Sequence, residues 1–158
     1  MTTAVLAPPV TIRAATVDDV PAVVRMGLRF RQDTVYRSRV AENQTQMTAL
    51  AHRLVDDEAG LLLVVDRNGA VVGMIGAMAF PHHISGQPTV GELFFWVEPE
   101  HRGCGVRLLK RAEQWARDRG ATSMQMIAPT PDVERLYQRL GYTALEVTYE
   151  KPLQQESS

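Results

Sequence analysis

The sequence predicts a mixed α+β domain built around a central sheet. Three observations carry this. Strand-like and helix-like periodicities follow one another along nearly the whole chain, in the order β-α-α-β-β-β-α-β-α-β. An Asn-Gly pair, Asn68-Gly69, separates two apolar runs, which is hairpin chemistry. A glycine-bearing loop, His101-Arg102-Gly103-Cys104-Gly105-Val106, follows a strand-like run and opens an amphipathic helix.

Val10 to Ala14 reads as a short strand. Thr16 with Asp19 at the third position after it is a weak capping box, and Val20, Val23, Val24, Gly27 and Leu28 recur at helical spacing behind it. Pro21 falls in the first turn, where its missing N–H costs nothing. A second helix runs through Met47, Leu50, Ala51, Leu54 and Val55 and stops before Gly60. Leu61 to Val65 is apolar at every position, as a strand covered on both faces would be. Val71 to Phe80 is its hairpin partner, and Pro81 to Pro88 is a loop. In the strand Val90 to Val97, alternation places Glu92, Phe94 and Trp96 on one face.

Beyond the glycine loop, Leu108, Leu109, Ala112, Trp115 and Ala116 form one apolar stripe, with Gly120 as a stop. Met124 to Ala128 is a strand. Thr130 caps a last short helix, with Pro131 at its first position. That helix carries Val133, Leu136, Tyr137 and Leu140 on one face, and Tyr142 to Tyr149 closes the chain as a strand.

The 158 residues fit a single domain over 1–158, with an ordered core of about 10–151 and a polar, frayed tail at Gln154 to Ser158. With 45% hydrophobic and 22% charged residues, the composition is that of a folded globule. The net charge of -1 gives no reason to expect a nucleic-acid partner, and no run is long enough to span a membrane. The N-terminal residues lack the features of a secretory signal. One cysteine, Cys104, rules out an internal disulfide and suits a reducing cytoplasm. No ligand cluster for a metal is visible.

The chemistry of the glycine loop follows from its place. The first N–H groups of a helix have no partner inside it, and the helix dipole adds positive charge there. Glycines let a phosphate approach the backbone, and Arg102 adds a fixed cation. The bland alternative is a strand-to-helix turn that uses glycine for geometry alone. The letters match neither a nucleoside-triphosphate loop nor a complete dinucleotide fingerprint.

The segment Val97-Glu98-Pro99-Glu100-His101-Arg102-Gly103-Cys104-Gly105-Val106 resembles the core motif V-x-P-x-x-[RQ]-G-x-G-x-[GA] of the Gcn5-related N-acetyltransferase (GNAT) superfamily. Leu136-Tyr137-Gln138-Arg139-Leu140-Gly141-Tyr142 resembles that superfamily's F/L-Y-x-x-x-G-F/Y. The resemblance implies a mostly antiparallel, twisted sheet whose fourth and fifth strands splay apart, flanked by helices. It implies acetyl-coenzyme A as cosubstrate and no metal. Trp96 and Val97 fall where backbone groups meet the pantetheine arm. Arg102, Gly103, Cys104, Gly105, Val106 and Arg107 fall on the pyrophosphate loop. Thr130 stands where an asparagine often contacts the cofactor arm, and Arg107 stands where Gly or Ala is usual. Its long side chain is expected to swing outward or to pair with a phosphate.

Tyr137 falls on the tyrosine that often protonates the leaving thiolate, and an ordinary phenol pKa of about 10 keeps it protonated at neutral pH. On the residues alone it is equally a core aromatic of its helix. Glu92 is the candidate base, because a carboxylate on an otherwise apolar strand gains a raised pKa from burial. The other reading is an ion-paired residue at the strand's start. Cys104 reads as a spacer. His82 and His83 would point apart, lining the substrate mouth or facing water. Arg25, Arg29 and Arg31 read as a solvated face.

Together these features predict a cytoplasmic N-acetyltransferase. A small-molecule or peptide amine would attack the thioester directly, and homodimerisation is expected by analogy alone. The rival is a coenzyme A-binding sensor or interaction module without transferase activity.

Overall fold

Leu61 to Val65 lie in strand β2 (Gly60–Arg67), and all five are buried. They are apolar throughout because helices cover both faces of the sheet. Leu62 and Val64 pack into a cluster with Val20, Val23 and Met26 of α1 (Val20–Gln32) and Ala51 and Leu54 of α3 (Gln44–Asp56). Leu61, Leu63 and Val65 alternate to the opposite face. There α4 (Gly105–Asp118) buries Leu108, Leu109, Ala112 and Ala116. Fully burying one such Leu stabilises the fold by about 1.5–3 kcal/mol.

The computed structural model describes residues 9–154, so the Gln155 to Ser158 part of the expected frayed tail lies outside the described residues. Two units emerge, one ending at Ile127 and one beginning at Ala128. The first holds a five-stranded sheet in the order β1-β2-β3-β4-β5, with β1 (Val10–Ala14), β3 (Ala70–Pro81), β4 (Pro88–Val97) and β5 (Ser123–Gln125) beside β2. Pairing is antiparallel except between β4 and β5, which run parallel. The β2–β3 hairpin turns at Asn68 (φ 52°) and Gly69 (φ 84°), a left-handed pair that Asn-Gly accommodates at little cost.

Arg13 on β1 ties the sheet to the start of α1. Its guanidinium reaches Asp19 at 2.7 Å and Asp66 at 3.1 Å. This Arg13 contact, more than any other, holds the buried Asp19 carboxyl below its usual range. Asp19 also accepts from the Thr16 backbone N–H at 2.8 Å, the half of the capping box expected from the spacing.

Several expectations need correction. The strands flanking the expected loop extend inward to Pro81 and Pro88, which pair with each other. A short helix, α2 (Tyr36–Arg39), has no counterpart in the periodicity. The fifth strand is Ser123–Gln125, not Met124 to Ala128. In the second unit, α5 (Pro131–Arg139) is capped by Thr130 as expected, its hydroxyl accepting from the Val133 N–H at 3.4 Å. No strand forms over Tyr142 to Tyr149, and Leu145, Val147 and Tyr149 are exposed. Alternating β-branched and aromatic residues favour extended backbone, but a strand exists only where a neighbour takes its N–H and C=O groups. No helix among the described residues is long and apolar enough to cross a membrane.

Candidate active site

The site grows from the fork between β4 and β5. Parallel pairing covers Thr89 to Gly91 against Ser123 to Gln125 and then stops, while β4 runs on to Val97. Where backbone pairing ends, a side chain takes over: Glu92 Oε2 accepts the Ile127 N–H at 2.7 Å. On its other side, β4 bulges. Ala77 lies opposite Glu92 and Gly76 opposite Phe94, so Leu93 has no partner on β3. The bulge breaks the strict alternation that would set Glu92, Phe94 and Trp96 on one face. Gly76 makes room for it, since a Cβ there would meet the Phe94 ring at 2.4 Å.

Glu92 is 7% exposed. Burial pushes its carboxyl pKa up to about 7, against the opposing pull of the Ile127 N–H. Burial also raises the Tyr36 phenol, and the Glu92 charge adds to that rise. Tyr36 therefore stands within electrostatic reach of Glu92. Its ring meets Phe30 at 5.4 Å, and Phe30 meets Trp96 edge-on at 6.1 Å. Sequence reasoning missed Tyr36 because α2 is a single turn without periodicity.

Trp96 is buried, and its indole N–H has no partner among the described residues. The Arg102 guanidinium sits 5.1 Å from the centre of its ring. Val97, also buried, ends β4 opposite Gly73. The glycine loop is wound as a short 3-10 turn, Pro99–Cys104, that feeds straight into α4. His101, half-buried within the turn, has a buried Nδ1 with no partner among the described residues. Buried Cys104 lies 3.9 Å from the Arg67 guanidinium. No side chain caps α4, and no acidic residue occupies its first turn.

The two loop glycines are not there for geometry. Neither Gly103 nor Gly105 has a positive φ. A Cβ on Gly103 would meet nothing within 4 Å, and one on Gly105 would make only ordinary contacts with Phe95 and Val97. Val106 continues the helix half-buried. Arg107 lines a groove with Val10, Thr11 and Ile12 of β1.

Arg25 and Arg29 are exposed and Arg31 half-exposed, as a solvated face would be, and two of the three also make contacts. Arg29 bonds Glu98 at 2.5 Å, joining α1 to the residue that precedes the 3-10 turn. Arg31 donates to the Val40 and Arg37 carbonyls at 2.6 and 3.2 Å and so holds α2 in place. His82 and His83 stack at 4.7 Å instead of pointing apart, because they lie beyond the end of β3, where strand alternation no longer applies.

In the second unit, Tyr137 is the buried residue of α5, and its ring meets that of Tyr142 at 5.6 Å. Thr130 lies at the start of the same helix.

The chain's relatives agree with this architecture. A model of the acetyltransferase (GNAT) family matches residues 28–142. A mycothiol acetyltransferase of Arthrobacter sp. (strain FB24) is 33% identical over 109 residues, which is 64% of this chain and 33% of that protein. The chain spans about a third of the length of the curated relatives it matches. A GCN5-related N-acetyltransferase from Ralstonia eutropha JMP134 superposes with a TM-score of 0.74 at 25% identity, over 92% of this chain and 99% of that one. The aminoglycoside N-acetyltransferase AAC(6')-Iy, in complex with CoA, superposes with a TM-score of 0.73 over 94% of this chain and 99% of that one, and at 17% identity it shares the fold. With its five-stranded sheet opening between β4 and β5 and a family match over most of its length, this chain belongs to the GNAT family of acetyltransferases.

Proposed function

We propose that this protein transfers an acetyl group from acetyl-coenzyme A to an amine on a small-molecule or peptide acceptor. The observation that carries the proposal is the pair of glycines the fold does not need. At Gly103 and Gly105 neither the backbone angles nor the packing asks for glycine. A ligand pressed against the backbone does. Arg102, which makes no ion pair with an acid among the described residues, supplies charge for a pyrophosphate there. Gly103, Cys104, Gly105, Val106 and Arg107 offer backbone at the uncapped start of α4. The unpartnered indole N–H of Trp96 and the last residue of β4, Val97, supply contacts for the pantetheine arm. Thr130 is assigned a further contact to that arm on the resemblance of its position.

Acetyl-coenzyme A supplies a thioester carbonyl for attack, and the protein's work is positioning and proton movement. Glu92, with a pKa near 7, accepts a proton from the acceptor ammonium, directly or through a water, and gives it up again at neutral pH. Tyr137, the family's tyrosine in this chain, donates the proton that the departing thiolate takes up. The curated relatives, named mycothiol acetyltransferases, support a small-molecule acceptor. The single, buried cysteine suits work in a reducing cytoplasm.

The test is thermal stabilisation by acetyl-coenzyme A, followed by thiol release over a panel of amines. Stabilisation with amine-dependent release is expected. Stabilisation without release on any amine would favour the sensor module, and no stabilisation would remove both. Gly103→Val sharpens the test. Its side chain would project into open space, so the melting temperature is expected to change by no more than the effect of about 0.5 kcal/mol. The KM for acetyl-coenzyme A is expected to rise about tenfold, the effect of about 1.4 kcal/mol of lost binding. An unchanged KM would show that nothing approaches the backbone there.

A further inference from the structure

β1 forms one margin of the sheet, and its strand partner is β2. The Ala15 N–H donates to the Leu62 carbonyl at 2.8 Å, which sets the phase of the ladder. By that phase Thr11 and Arg13 direct N–H and C=O toward β2, and Val10, Ile12 and Ala14 direct theirs outward. The Arg13 guanidinium takes the Ala14 carbonyl at 3.3 Å. The outward groups of Val10 and Ile12 have no partner among the described residues. Bare strand edges of this kind are templates for another strand.

Beside this edge, α4 presents Arg107, Lys110 and Arg111, spaced i, i+3, i+4 on one helix face. With Val10, Thr11 and Ile12 they line a groove of about 560 Å³. None of the three cations pairs with an acid among the described residues, whereas Arg117 on the same helix is matched by Glu113 at 3.3 Å. Three like charges within one turn repel one another, and the chain as a whole, at -1, is not basic. The cluster is therefore a local, uncompensated feature that lies beside unpaired backbone groups.

We propose that this groove docks an extended acidic peptide segment, which adds to β1 as a further strand and sets carboxylates over Arg107, Lys110 and Arg111. The spacings agree. Alternate residues of a strand stand about 6.6 Å apart. Four residues of helix rise about 6 Å, so Glu or Asp at alternate positions meets cations at i and i+4. Val10 and Ile12 share a face with their partners Arg67 and Val65, the face that α4 covers, so every second side chain of an added strand points toward the cations. A second copy of this chain is a poor occupant, because pairing two β1 edges would bring two cationic clusters together. A nucleic acid would use the cations but leave the strand edge unused. The groove lies on the margin of the sheet opposite β5, apart from the β4–β5 fork, and meets the proposed cofactor site at one residue, Arg107, whose side chain it uses where the cofactor would use its backbone.

The experiment uses the full chain and a fluorescent peptide alternating Glu and Thr, read by anisotropy at two salt concentrations. Binding that weakens with salt is expected, with a loss of about tenfold or more in the double variant Lys110→Glu/Arg111→Glu. N-methylating alternate amides of the peptide leaves the protein untouched and removes strand pairing in one of the two registers. Loss of binding for one methylation pattern but not the other supports an added strand. Ile12→Pro, which deletes the outward N–H, is expected to weaken binding similarly. Equal binding by both methylated peptides would overturn the proposal in favour of a general anion site. Tighter binding of a single-stranded oligonucleotide of equal charge, or no peptide binding at all, would overturn it too.

Discussion

Glu92→Gln is expected to make the protein more stable above neutral pH and nearly inactive. Burial holds the folded-state pKa near 7, while the unfolded carboxyl titrates at its ordinary value of about 4.3. Between these values the folded state binds the proton that the unfolded state has released. Stability is therefore greatest below the unfolded value, falls as the pH climbs toward 7, and levels off above it. The full span corresponds to about 3.7 kcal/mol. Gln resembles the protonated acid and keeps an oxygen to accept the Ile127 N–H, so the fork stays closed at that point. The two proteins should melt alike near pH 4, and the variant should melt higher near pH 8, by about 2–4 °C for each kcal/mol recovered. Turnover should fall by about 100-fold, and the acid limb of the wild-type pH–rate profile should vanish. An acid limb that survives in the variant would remove Glu92 from the chemistry and leave it as the clasp of the fork.

Tyr137→Phe is expected to lower kcat by about 100-fold while leaving coenzyme A binding unchanged. The substitution deletes one oxygen and keeps the ring, and with it the contact to Tyr142 at 5.6 Å. A proton donor acts on the departing thiolate, which exists only as the bond breaks, so its loss is felt in turnover and not in binding. Calorimetric titration with coenzyme A measures the binding, and steady-state rates measure the turnover. Equal turnover in the two proteins would make Tyr137 a packing residue of α5.

What the sequence disclosed follows from how local each cause is. The unbroken run Leu61 to Val65 announced a strand covered on both faces, because burial on each side leaves no place for a polar residue. Asn68-Gly69 announced the hairpin, and Thr130-Pro131 announced the start of α5, because turns and caps are decided within a few residues. The loop and Glu92 stood out by type and position. The bulge at Leu93 did not, since it depends on Gly76 yielding space to the Phe94 ring across the sheet. The approach of Tyr36 to Glu92 and the bond from Arg29 to Glu98 join residues far apart in the chain. Tyr142 to Tyr149 erred the other way: its alternation states a preference, and in the structure no neighbouring strand satisfies it.

The bond between Arg29 and Glu98 has a thermodynamic meaning. Arg29 belongs to the helix that carries Phe30 against Tyr36 and Trp96. Glu98 stands just before the turn that leads into the glycines. A molecule that shifts α1 and a molecule that tightens that turn act on opposite ends of one link. Linkage is reciprocal, so whatever factor the first adds to the affinity of the second, the second must return to the first. With both side chains partly exposed, the size of that factor is set by ionic strength, and cooperativity between the two ligands should fade as salt is added.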